Sequence, residues 1–308
     1  MFLEDESTHA VVISLEKERM DRRLREVFQN VRLRFERFSP MLQEHFRLLL
    51  KEQQTFEDEV ECASLTHSVD LMDSERRLDV MDWLHIQQAS LFTDIGKTGP
   101  IDAVQEQKEL IAKIYGSSKS LPGNPRDFTL YDFFDINKEL KLEGEEHFKL
   151  LEAMGIAPNT NMRTFFNLHA GWTYGLLQNE TEISQEVKVL ASLHHILEGV
   201  NPDGLVDLSS EILMIPSLGR PLERKEIWTV LFDKYQAQRA PHRGNQTHQA
   251  AIAWLRRFVN EPDLINKRGV QLQPYPEWLH SLLNTCITEL DEGFKKSQEN
   301  ERALAVNE

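Results

Sequence analysis

Cysteine is nearly absent from this chain. Its 308 residues include only Cys62 and Cys286, far apart in sequence. That excludes a disulfide framework and any zinc site built from cysteine pairs. No run of about 18 apolar residues occurs, so a transmembrane helix is not expected. The opening MFLEDEST lacks a basic segment followed by an apolar one. A secretory signal is therefore not expected, and a cytoplasmic location with two buried thiols is. Cations are also scarce, with 35 Lys and Arg against 50 Asp and Glu and a net charge of −15. So acidic a surface repels nucleic-acid polymers but leaves room for a small phosphate ligand, because a metal centre brings its own positive charge. Strand patterns are missing as well. VVIS at 11–14 and LMIPSL at 213–218 are too short to build a sheet, and no internal repeat is present.

What remains is helical periodicity. Leu24, Val27, Phe28, Val31 and Phe35 recur at three- and four-residue steps in a helix over 15–38. Ser39-Pro40 then restarts the chain as N-cap and first helical residue, and 41–56 is helical again. Two or three helices follow over 57–116, and the Pro- and Gly-bearing stretch 117–127 reads as a loop. Further helices are expected over 139–153, 162–178, 184–198, 222–239, 246–259 and 276–297. The fold class is all-α. Residues 1–56 form an N-terminal helical segment, either a separate module or the first helices of the core. Its charge is that of a solvated face or of a surface for a protein partner. Residues 57–260 form the main domain, with an insertion near 117–160, and 261–308 a C-terminal helix and tail.

Chemistry concentrates in an ordered series: His67 in SLTHSVDLM, Asp94 in FTDIGK, His169 in FNLHAGWTYGLL, His194-His195 in ASLHHILEG, and Asp233 in LFDKYQAQRAPHR. Val187, Leu190, His194 and Leu197 share one face of a helix, which carries His194 into the core, and His169 shares a face with Trp172 and Leu176. A buried histidine needs a metal, an acid or a carbonyl as partner. Singly, each is an ordinary hydrogen-bonded core histidine. Together, imidazoles and carboxylates suit iron, manganese, zinc or nickel, and two metals sharing a carboxylate can clamp a phosphoryl group for in-line displacement.

The series resembles the HD-GYP branch of the HD phosphohydrolases. FTDIGKTGPID is similar to the family's HDIGK stretch, HHILEGVNPDG stands where the family has its His-His and GYP loop, and DKYQAQRAPHR resembles its closing Asp…Arg-Pro-Tyr-Arg segment. The resemblance implies an HD-domain helical bundle that hydrolyses a cyclic dinucleotide, cyclic di-GMP first among them. It also implies one or two divalent ions, iron or manganese before zinc or nickel. One ion would use Asp94, His169, His194 and His195. The other would use His67, Asp94, Asp233 and the dyad histidine, which here is Thr93. Asp94 and Lys97 would serve catalysis, and Lys97 and Arg243 would hold substrate phosphates. The acid that brings a third metal in some relatives is Ala63, and the GYP tyrosine is absent. These departures leave three expectations open: a phosphodiesterase, a nucleotide sensor or interaction module without turnover, and a structural protein with relic histidines.

Overall fold

The computed structural model describes residues 6–51, 53–70, 77–209, 211–241, 244–261 and 275–305; within these, the side chains of 6–14, 53, 67, 68, 70, 119, 298 and 300–305 fall outside the description. The fold is all-α. Helices α1 (Glu6–Asn30), α2 (Pro40–Lys51), α3 (Gln53–Asp70), α4 (Val80–Ser90) and α5 (Gln105–Gly116) come first. The region expected as an insertion holds α6 (Leu130–Ile136), α7 (Lys138–Lys141) and α8 (Gly144–Glu152). Then follow α9 (Met162–Leu177), α10 (Gln185–Ser192), α11 (Arg224–Arg239), α12 (His248–Asn260) and α13 (Glu277–Ala305). The LMIPSL stretch contributes only a two-residue strand, β1 (Met214–Ile215), antiparallel to β2 (Arg220–Pro221). Among the described residues no helix is long and apolar enough to cross a membrane.

Side-chain caps set several helix starts. Ser39 Oγ accepts from Leu42 N at 3.1 Å ahead of Pro40. Asp79 and Asp82 close a capping box on α4, and Asn161 and Ser184 cap α9 and α10.

Two helices end earlier than periodicity alone predicts. The helix expected over 139–153 breaks into α7 and α8, because Glu143 adopts φ −117°, ψ 25° ahead of Gly144. The helix expected over 184–198 stops at Ser192. Beyond it Leu193 (φ −89°, ψ 3°) and His195 (φ −107°, ψ 11°) leave helical geometry, a 3₁₀ turn spans Ile196–Glu198, and Gly199 closes it at φ 82°. The face shared by Val187, Leu190, His194 and Leu197 therefore does not exist as one helix, although all four side chains are buried.

Three clusters of buried side chains form the interior. One gathers α4, α11, α12 and α13 around Trp83, Trp228 and Phe232. A second unites Leu24, Phe28, Phe38 and Phe46 with Phe92, Ile95, Leu176 and Leu190, so the N-terminal helices share a core with residues far along the chain. Its rings pack closely, Phe28 against Phe46 at 4.8 Å and Phe46 against Phe92 at 5.5 Å between centroids. The third lies within 110–165 and gives that region its own support for α9.

His45 of α2 is fully buried, with Nδ1 2.6 Å from Thr98 Oγ1. Burial, helped by the charge of Lys108, lowers its pKa from 6.5 to about 3. The unfolded chain thus takes up this proton before the folded one does. The neutral ring's contribution to stability is full above pH 6.5 and is lost as pH falls from there towards 3, at about 1.4 kcal/mol per pH unit. Urea titrations should show His45→Gln losing about 1 kcal/mol less than the unsubstituted protein between pH 6.5 and 5.5. Identical losses would refute this account.

Candidate metal centre

The turn that carries Asp94 sits directly on α9. Gly96 makes this possible, since a Cβ there would lie 2.1 Å from His169 O and 2.7 Å from Thr173 N. Thr173 Oγ1 fastens the contact, accepting from Gly96 N at 3.1 Å and donating to Thr93 O at 3.0 Å. The role of Gly96 is thus to allow close approach of two backbones.

Three imidazoles converge at this junction. One ring nitrogen from each of His169, His194 and His195 lies within 4.8 Å of the other two. His194 and His195 are adjacent in sequence, and on a regular helix they would diverge by about 100°. The break after Ser192 turns both inward instead, with ring centroids 4.3 Å apart. His169 Nδ1 lies 2.5 Å from Phe166 O, and His194 Nδ1 2.7 Å from Ala191 O. A carbonyl only accepts, so each Nδ1 carries a proton and each neutral ring presents a bare Nε2. Those two nitrogens are 2.8 Å apart. Burial lowers the His169 pKa to about 4, although Asp94 opposes the shift, and burial also holds that of His194 well below the ordinary value. Both rings are therefore neutral near pH 7. Two facing lone pairs repel, a cation bound to both relieves that repulsion, and a carbonyl-anchored Nδ1 is the usual support for a ligating Nε2. The three histidines can hold a metal ion.

Asp94 Oδ1 is 3.4 Å from His169 Nε2, and its other oxygen pairs with Lys97 Nζ. Asp233 comes from α11 and bonds Lys234 Nζ at 2.8 Å. Burial raises its pKa, but Lys234, His194 and His195 outweigh this and bring it to about 2. Lys234 also pairs with Glu198 Oε1 at 2.6 Å, and Glu198 Oε2 lies 3.3 Å from His195 Nδ1. Lys234 Nζ also lies 3.1 Å from His195 Nδ1, so an ammonium and a carboxylate together fix the position of this ring. Sequence reasoning missed both Glu198 and Lys234, although each is within three residues of a histidine or acid it singled out.

Helix α3 also reaches the site through Glu59. The side chain of His67 and the whole of Arg243 lie outside the described residues. Glu59, only 2% exposed, accepts from Asp94 N at 2.5 Å. Among the described residues its Oε2 has no hydrogen-bond partner. Burial and then the charge of Asp94 push its pKa well up. Cys62, one turn on, donates to Phe232 O at 3.6 Å, and Asp58 is buried beside it. The signal available in the sequence was a pair of acids four and three residues before Cys62. Thr93 is buried, and its hydroxyl donates to Ser90 O at 3.1 Å.

A cavity of about 620 Å³ opens on the centre. His169, His195, Asp94, Asp233 and Lys97 line it, and Lys51, Gln54 and Thr55 add a contribution from the end of α2 and the start of α3. Its cations Lys51, Lys97, Arg163 and Lys234 outnumber its acids Asp94, Glu198 and Asp233. On a chain of net charge −15 that local balance favours an anionic ligand.

Two outcomes are expected. Gly96→Ala should lower unfolding free energy by about 1–3 kcal/mol and lower metal content too, because the added methyl displaces α9 and with it His169. Unchanged metal content in the folded variant would contradict that coupling. His194→Ala should weaken metal binding more than about tenfold when measured on protein without a histidine tag. Equal affinity in variant and parent would remove His194 from the ligand set. Comparison with protein-family models, with curated proteins and with solved structures finds no match, so the centre is defined by this chain's own geometry.

Proposed function

We propose that this chain is a metal-dependent phosphodiesterase of the HD-GYP type acting on a cyclic dinucleotide, with cyclic di-GMP the first candidate. The observation that carries the reading is the pair of bare Nε2 atoms of His169 and His194, 2.8 Å apart, beside Asp94 and His195. Nitrogen and carboxylate donors in that mixture favour iron or manganese, with zinc or nickel next. A divalent ion held there supplies Lewis-acid neutralisation for an attacking water and a scissile phosphate. The protein's own groups do the rest. Lys97 brings an ammonium beside Asp94 at the cavity wall, where a phosphate oxygen would meet it. Lys234 and Glu198 hold His195 in place, and their burial keeps the field around the phosphate strong.

A second reading, a nucleotide sensor without turnover, is favoured by Thr93. It offers no nitrogen donor where the resemblance implies an imidazole, and its hydroxyl is engaged by Ser90. The test is metal analysis of tag-free protein combined with a cyclic di-GMP hydrolysis assay, on the parent and on Thr93→His. The phosphodiesterase reading expects bound metal, hydrolysis, and a higher metal-to-protein ratio with faster turnover in the variant. Binding without hydrolysis in both proteins would leave the sensor. Absence of both metal and dinucleotide binding would overturn the two readings together.

A further inference from the structure

Arg163 is the second residue of α9, and His169 lies six residues on in the same helix, about 9 Å along its axis. Both line the cavity. Arg163 is poorly matched for a charged group that is only 27% exposed. Its Nη1 is 3.9 Å from Glu198 Oε2, too far for a hydrogen bond, and Glu198 is already engaged by Lys234 and His195. Among the described residues its buried Nε has no hydrogen-bond partner. A buried N–H with no acceptor is unfavourable unless an acceptor arrives.

A second guanidinium stands close by. Arg126 belongs to the 3₁₀ turn Pro125–Asp127, in the region expected as an insertion. Burial and then the charge of Arg163 lower its pKa. One residue holds the two arginines together. Asn161, the N-cap of α9, accepts from Arg163 N at 2.9 Å and donates through Nδ2 to Arg126 O. The backbones that carry the two arginines are thus tied together at the positive end of a 16-residue helix, with Pro125 and Arg163 on the wall of the cavity.

We propose that Arg163 and Arg126 form an anion subsite that takes a second phosphate group of the ligand, while the first sits against the histidines and Lys97. The ligand class is then a nucleotide with two phosphate groups separated by on the order of the 9 Å between Arg163 and His169. Arginine forks suit phosphate oxygens, which this position supplies with two. The existence of the subsite is independent of the phosphodiesterase reading, but the placing of the first phosphate rests on it.

Calorimetry of the metal-free protein with inorganic pyrophosphate tests the subsite by itself. The parent should bind, and Arg163→Ala should bind about tenfold or more weakly, with Arg163→Lys only partly restoring affinity. Circular dichroism and metal content of the variants should match the parent, which separates lost recognition from lost folding. With metal-loaded protein, a linear dinucleotide bearing a 5′ phosphate should bind more tightly than one lacking it, and Arg163→Ala should erase that preference. Equal pyrophosphate affinity in parent and Arg163→Ala, or no binding by the parent, would overturn the subsite. Loss of hydrolysis with pyrophosphate binding intact would instead overturn the phosphodiesterase reading alone.

Discussion

His169 and His194 face each other through nitrogens that both bear lone pairs, because each ring commits its other nitrogen to a carbonyl one turn back. Without a positive charge between them this arrangement is repulsive, and the surrounding structure is what holds it together. The rings come from α9 and from the turn after α10, and neither element can shift alone. α9 is pressed against the Asp94 turn through Gly96 and Thr173, and the turn after α10 is closed by Gly199. Burial in turn keeps both rings neutral, so the lone pairs remain available to a cation at ordinary pH.

Around the histidines the charges are paired with unusual economy. Lys234 is buried yet stays charged, because Asp233 and Glu198 outweigh its loss of solvation. Glu198 stays ionised for the reciprocal reason. Each acid has a further duty, Glu198 at His195 and Asp233 at the cavity wall. Removing any one member of so dry a network would leave a bare charge on its neighbours.

The helical class was legible in the sequence because the apolar spacing of α1, α9 and α12 is set by burial against neighbours on one side. The convergence of His169, His194 and His195 was legible as an order of residue types along the chain. The manner of convergence was not. Periodicity runs through Ser192 without interruption, and only the backbone shows that the helix ends there. Glu59 and Arg163 escaped notice for another reason. Acids and arginines on helices usually face water, and nothing local distinguishes one that a distant turn has covered. Glu59 becomes remarkable only once Asp94 N is found donating to it from 35 residues away.

The phenylalanine cluster has a practical meaning for anyone who shortens the chain. Phe28, Phe38 and Phe46 close over Phe92, and Ser39 N bonds Glu180 Oε2 at 3.1 Å across 141 positions. A fragment beginning near residue 57 would keep every histidine of the centre. It would also present Phe92, Ile95, Leu176 and Leu190 to water as one apolar patch. Such a surface drives self-association. The first helices in this sense keep water from the apolar face of the part of the molecule that holds the three histidines.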